Sequence, residues 1–316
     1  MKRMIPILLA LILCQALCTK SLSEEAPEYL LDVLWAPSCA IETDTGALLV
    51  TDVLNKCIWL VESGHAGRFA GGESEVDRYE KPMGGFSDGD LASSLFMEPW
   101  AIAPFLDGWA VSDTGNSVLR MVTLKEVRTI NGHTSDPTIR VSDTGVVYDR
   151  PTGLAADEGG NLYVSNTETG RIYQIHPDGS VIVFFDQLKE PTGLCWQGGA
   201  LYVAETGAHR IVKIEGGKLQ AVAGSGEEGF IDGPAEEARF SWPCGVFADK
   251  EGAVYVADTA NSSVRRIQNG KVDTLLQRGS GTDESFPFSP RSLLILNDGE
   301  LLICDPYARM IRIQKP

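Results

Sequence analysis

Six prolines, Pro37, Pro99, Pro151, Pro191, Pro243 and Pro290, head six copies of one pattern. Eight or nine residues after each stands a turn glycine: Gly46, Gly108, Gly160, Gly199, Gly252 and Gly299. An apolar, β-branched or aromatic stretch follows, such as Leu48-Leu49-Val50 or Val254-Tyr255-Val256. Fourteen or fifteen residues after the proline comes a polar acceptor: Asp52, Asp113, Asn166, Glu205, Asp258 and Asp305. Six residues further on an aliphatic residue always appears: Ile58, Leu119, Ile172, Ile211, Val264 and Ile311. A glycine between apolar runs marks a hairpin, and the runs themselves suit buried strands. A unit this short cannot bury an apolar face alone, so it must pack against its neighbours.

Each unit reads as strand A after the proline, B before the acceptor, C around the aliphatic residue, then D. The predicted D strands are 67–70, 126–130, 181–185, 219–223 and 272–276. The sixth unit ends at Ile311-Arg312-Ile313, close to the last residue, and supplies no D strand of its own. Tyr29-Leu30-Leu31-Asp32-Val33-Leu34 carries the same D-like pattern ahead of the first proline. Pairing it with the last unit would close a ring and leave no blade short of an edge strand. The expected fold is all-β: a six-bladed β-propeller of four-stranded antiparallel blades, closed by its N-terminal strand. The prolines are 40 to 62 residues apart, and the variation falls between D of one unit and A of the next. These D–A connections share one end of the ring with the B–C turns, and variable loops on a fixed scaffold are where binding concentrates.

Lys2-Arg3, an apolar run from Met4 to Leu13 and the small residues Ala16 and Cys18 have the order of a cleaved secretory signal. Residues 1–18 are therefore read as a signal peptide, 19–28 as a short linker and 29–316 as one propeller, secreted to an extracellular or periplasmic space. No later apolar run is long enough for a membrane helix. Net charge is −16, and without Lys2 and Arg3 there remain 25 basic against 43 acidic residues. That surface repels phosphate backbones and argues against a nucleic-acid ligand. Five cysteines follow the signal, Cys39, Cys57, Cys195, Cys244 and Cys304, an odd number without CxxC spacing. They suit small core residues better than a disulfide framework or zinc site, with room for one or two pairs.

Val256-Ala257-Asp258-Thr259-Ala260-Asn261 followed by Val264-Arg265-Arg266-Ile267 resembles the NHL repeat, as do Val111 to Asn116 and Ala204 to Ile211. Gly85-Phe86-Ser87-Asp88-Gly89 and Gly229-Phe230-Ile231-Asp232-Gly233 match each other, each leading to a phenylalanine and then a proline at equal spacing. The likeness to secreted NHL-repeat propellers covers about residues 29–313. It implies the fold and little about activity, because such propellers include adhesion and sensor domains, RNA-binding modules and a few enzymes. Asn166 and Glu205 replace the usual Asp, and Pro306-Tyr307 interrupts the last copy.

The recurring acidic position does not require a metal: a short Asp or Asn there can accept hydrogen bonds from the following turn. Asp88 and Asp232 are read the same way, as parts of a loop that orders itself. His65, His133, His176 and His209 form no HExxH or close pair, and no GxSxG elbow is present. His133 and His209 share one end, too few for the three-histidine zinc site that a peptide-amidating lyase relative would carry. The best guide to a pocket is the residue after each anchoring proline: Ser38, Trp100, Thr152, Thr192, Cys244 and Arg291. Trp100 can stack and Arg291 can hold an anion, which suits a sugar, a peptide terminus or a small acid. Trp35 and Trp242 lie near the same mouth.

The leading expectation is a monomeric recognition or scaffold propeller with no catalytic role and no cofactor, binding a protein, peptide or glycan partner. The alternative is an extracellular metal-dependent lyase or lactone hydrolase with calcium or zinc in the channel.

Overall fold

The computed structural model describes residues 33–132, 146–277, 289–307 and 309–314. Residues 1–28, read as signal and linker, lie outside them, as do Tyr29 to Asp32 and His133. The described chain is an all-β propeller built of four-stranded antiparallel blades. Strands A to D of the first sheet are Pro37–Glu42, Leu48–Asp52, Cys57–Glu62 and His65–Ala70, paired in sequence order. The same order recurs in the sheets headed by Pro99–Phe105, Pro151–Ala156, Pro191–Gln197 and Pro243–Ala248. The expectation of six four-stranded blades is met by five. The last sheet has three strands, Ser292–Ile295, Glu300–Asp305 and Arg309–Gln314. Its expected fourth strand falls mostly on residues outside those described, and no strand is assigned at Val33 and Leu34.

Each innermost strand contacts the next, and that of the last sheet contacts that of the first. Strand alternation sends apolar side chains to both faces of every sheet, so the core is divided among the seams. Leu49, Ile58 and Ile102 fill one seam, and Leu34, Leu48, Val50 and Leu302 fill the seam between last and first sheets. Hydroxyls latch the seams near the axis. The threonine after the acidic position donates to the carbonyl of the next sheet's proline: Thr114 to Pro151 at 2.5 Å, Thr167 to Pro191 at 2.8 Å, Thr206 to Pro243 and Thr259 to Pro290 both at 2.7 Å. Ser38 and Thr51 serve the first seam through the Trp100 carbonyl. At the last seam Pro306 stands where the threonine would be, and that seam relies on its apolar cluster and on Asn297 N–H donating to Glu42.

The acidic residues at the ends of the B strands are fully buried and saturated. Their principal donors differ from those expected. Asp52 accepts from the amides of Trp35 and Ala36, Asp113 from Met97 and Glu98, Asp258 from Ser241 and Asp305 from Ser289. The carboxylates thus fix the entry of the chain into strand A, and the B–C turn donates in addition, through backbone amides at Asp52 and Asp305 and through the Asn116 and Asn261 side chains at Asp113 and Asp258.

In the second and fifth sheets an arginine on strand C completes this arrangement. Arg120 and Arg265 have side chains with no exposure, among the largest fully buried groups in the molecule. Arg120 donates to Asp113 at 3.0 Å, Asp88 at 2.7 Å and the carbonyls of Leu95 and Ser87, with Phe86 and Phe96 rings about it at 4.8 and 5.0 Å. Arg265 does the same with Asp258, Asp232, Ile231 O and Arg239 O, between Phe230 and Phe240. Asp88 and Asp232 also accept from Thr129 and Thr274 on the outer strands. These two D–A connections are thereby clamped, and a two-residue strand from each, Gly89–Asp90 or Gly233–Pro234, extends its sheet to five strands.

Candidate functional site

The candidate positions sit where the ladder between strands A and B is interrupted. In five sheets the register shifts immediately after the proline, leaving Ser38, Trp100, Thr152, Thr192 and Cys244 out of the regular pairing. A bulge re-aims the side chain it carries. The hydroxyls at these positions are engaged within the protein. Ser38 Oγ donates to Trp100 O at 2.7 Å, Thr152 Oγ1 shares protons with Ser165 and Thr167, and Thr192 Oγ1 pairs with Thr206 and donates to Cys244 O at 2.9 Å. Ser38 and Thr192 therefore stitch neighbouring sheets, and Thr152 braces its own. Cys244 is half-buried, and its thiol lies 3.4 Å from Trp242 O.

Trp100 and Arg291 come together. They belong to the second and last sheets, which flank the first, and the Arg291 guanidinium lies 5.4 Å from the centre of the Trp100 ring. Both side chains are half-buried. The Arg291 amide donates to Cys304 O at 2.8 Å, which fixes the backbone beneath the guanidinium. Gly245 lets the inner strand of the fifth sheet press against the Arg291 backbone, since a Cβ there would fall on the Arg291 carbonyl oxygen.

A second aromatic group stands at the same end. Trp242, immediately before its proline, is 43% exposed and meets the His209 ring edge-on at 5.6 Å, while its amide donates to His209 Nδ1 at 3.2 Å. His209 thus holds Trp242 in place. Tyr307 and Leu54, on B–C turns, are also exposed. Sequence reading placed Trp242 near the mouth but passed over Tyr307 and Leu54; the signal for both was their position two residues after the acidic one. The other described histidines are remote: His65 opens an outer strand, and His176 Nδ1 pairs with Asn161 Oδ1 at 2.8 Å in the turns of the opposite end. That opposite end carries a small cleft of about 130 Å³ lined by Phe105, Arg128, Ile175 and Pro177, away from all the candidate residues.

The inner ring presents hydroxyls, a thiol, an indole and a guanidinium, with no carboxylate or imidazole. This donor set does not fit calcium or a catalytic zinc ion. The acidic residues beneath it are committed to backbone amides, and among the described residues no three His, Cys, Asp or Glu side chains are grouped as a metal site. All five described cysteines are free thiols, and burial pushes Cys195 up to about 11. Among the described residues no helix is long and apolar enough to cross a membrane.

Residues 154–279 match the family model described as the SMP-30/gluconolactonase/LRE-like region. NHL repeat-containing protein 2 of Gallus gallus is 42% identical over 71 residues, 22% of this chain and 10% of that protein. The chain spans a tenth or less of the length of the curated relatives it matches. Among solved structures, an auxiliary nutrient binding protein from Bacteroides thetaiotaomicron superposes with a TM-score of 0.65 at 14% identity, covering 88% of this chain and 68% of that one. A gluconolactonase from Xanthomonas campestris gives 0.65 at 13% identity, covering 91% and 88%. The repeat, the sheet topology and these likenesses agree: the chain carries a β-propeller region of the SMP-30/gluconolactonase and NHL type.

Proposed function

We propose that the protein is an exported recognition propeller that binds a peptide, glycan or protein partner through its D–A loop face and the adjoining channel mouth. The observation that carries this is the placement of exposed apolar side chains. Of thirteen large exposed hydrophobics among the described residues, nine are on D–A connections or B–C turns, including Tyr79, Met83, Phe230, Trp242 and Tyr307. Aromatic side chains held on a rigid frame give large contact area at small entropic cost. The frame is rigid because buried arginines clamp the two loops that carry Tyr79, Met83 and Phe230. Export is supported by the Lys2-Arg3 and apolar leader.

The test is binding of the chain from residue 19 onward to a panel of extracellular glycans and peptides. Trp242→Ala with Tyr307→Ala is expected to weaken a bound panel member about tenfold or more. Ile182→Ser with Val183→Ser, on an outer strand, is expected to leave affinity unchanged. Equal effects of the two pairs would overturn the assignment of the face. The match to the gluconolactonase-like region favours a second reading, an extracellular metal-dependent lactone hydrolase or lyase. Stoichiometric calcium or zinc in the purified chain together with lactone turnover would select it.

The same reading includes a closed six-bladed ring. Val33 and Leu34 pack against the last sheet with Met310 and Leu302, and Val33 O accepts from Asn55 Nδ2 at 2.7 Å. The described chain thus begins against the last seam, and the fourth strand of the last blade is proposed for residues 29–34. Amide hydrogen exchange tests this: residues 29–32 are expected to be protected to the level of the other outer strands. Free exchange there would leave the last blade three-stranded.

A further inference from the structure

We propose that the channel mouth holds a carboxylate-binding subsite centred on Arg291 and backed by Trp100. The inference rests on the recognition reading and names the chemistry that one part of that face accepts. Among the described residues the Arg291 guanidinium makes no hydrogen bond and no ion pair, and its Nε is shut off from solvent without an acceptor. Arg78, Arg128 and Arg171 also lack a hydrogen-bonded or ionic partner among the described residues but are exposed, whereas Arg291 is half-buried. Arg120 also leaves Nε unpaired, but four acceptors saturate its other nitrogens. Arg265 is saturated as well, and Arg210 is held by Glu205 at 2.6 Å. A partly buried polar group without a partner calls for an explanation, and a ligand is the one that fits a position in the mouth of a propeller.

The rest of the ring agrees with an anion. The nearby hydroxyls of Ser38, Thr152 and Thr192 are occupied, so the guanidinium is the strongest unfilled hydrogen-bonding group contributed by these positions. Among the described residues no carboxylate pairs with it to compete. The Trp100 ring restricts its motion, and the clamped backbone fixes its height, so little entropy is lost when an acceptor arrives. One planar guanidinium matches the charge and fork of one carboxylate, where a phosphate dianion calls for more cationic groups. The indole beside it suits a carboxylate carried on an apolar or ring-shaped group. The free C-terminus of a peptide and an acid sugar both present this chemistry.

The experiment is calorimetric titration of the chain from residue 19 onward with four probes. They are a short peptide with a free C-terminus, the same peptide as its C-terminal amide, glucuronate and glucose. One acid is expected to bind about tenfold or more tightly than its neutral counterpart, and which acid does so identifies the source. Arg291→Gln is expected to remove that preference, with Arg291→Lys retaining part of it. The acid-to-neutral comparison in the unaltered chain stands even where a variant folds poorly. Equal binding of acid and neutral probes, no binding of either acid at about 10 mM, or an Arg291→Gln variant that keeps the preference would each overturn the subsite. Such a result would leave the loop-face reading intact, because that reading rests on Trp242 and Tyr307.

Discussion

Arg265→Ala is expected to destabilise the propeller by about 3–5 kcal/mol in urea unfolding, because it strands the buried Asp258 carboxylate without its cation. Asp258 and Arg265 are both fully inaccessible and 2.7 Å apart, and the arginine also ties Asp232 and two loop carbonyls together. Its loss releases the 224–242 connection as well as the charge. Burial already pushes the Asp258 carboxyl up from its ordinary value, with Asn261, the Ser241 amide and Arg265 opposing. Removing Arg265 raises it further. A carboxyl whose folded-state pKa lies above its unfolded value near 3.9 favours the folded form at low pH and penalises it above. The deficit of the variant relative to the unaltered chain is therefore expected to narrow as pH falls from 7 toward 4. A deficit under about 1 kcal/mol, or one that is flat with pH, would show that Asp258 does not depend on this partner. Asp258→Asn combined with Arg265→Met is expected to recover part of the loss, since replacing both members leaves no fully buried charge uncompensated and Asp232, which also loses its cation, is 45% exposed.

Gly153→Ala carries the second large effect, about 3 kcal/mol of destabilisation. Gly153, Gly193 and Gly245 each follow the residue after an anchoring proline and lie where neighbouring innermost strands press together. A Cβ on Gly153 would fall on the Thr192 carbonyl oxygen, and one on Gly193 would lie 2.5 Å from Cys244 O. These neighbours are backbone atoms held in latched seams, so relief requires whole strands to move. The smaller entropy of the unfolded alanine chain returns only about 0.4–1 kcal/mol. The same substitution at Gly199, in the turn at the far end of strand A, meets nothing within 4 Å and separates close approach from backbone conformation. Its φ of 83° makes the cost there one of conformation alone. If Gly153→Ala melts with the unaltered chain, the inner strands are less tightly apposed than the backbone indicates.

The spacing of proline, glycine, acid and aliphatic residue determined the strands and their order. The D strands expected from it fall within one or two residues of those in the described blades: 126–130 is found as Glu126–Gly132 and 219–223 as Lys218–Ala223. This was legible because hairpin geometry and two-residue alternation are local, written within about fifteen residues. The hydrogen bonds from the following turn to the acidic position were legible in the same way and are found at Asp52 and Asp305, whereas the donors ahead of strand A were not. The amides that Asp52 and Asp113 bind precede strand A in the chain and meet the end of strand B only when the hairpin closes.

Tertiary structure decided the rest, because it depends on which blades the ring sets side by side. Ser38, Thr152 and Thr192 looked like pocket residues in the same register as Trp100 and Arg291. The ring turned the Ser38 and Thr192 hydroxyls into latches between sheets, left Thr152 paired with Ser165 and Thr167 of its own sheet, and brought Trp100 and Arg291 within 5.4 Å of each other. Arg120 and Arg265 read as ordinary strand residues until the loops bearing Asp88 and Asp232 folded back over them. A repeat specifies each blade through short-range geometry, whereas pairing between residues nearly two hundred positions apart is set by closure of the chain on itself.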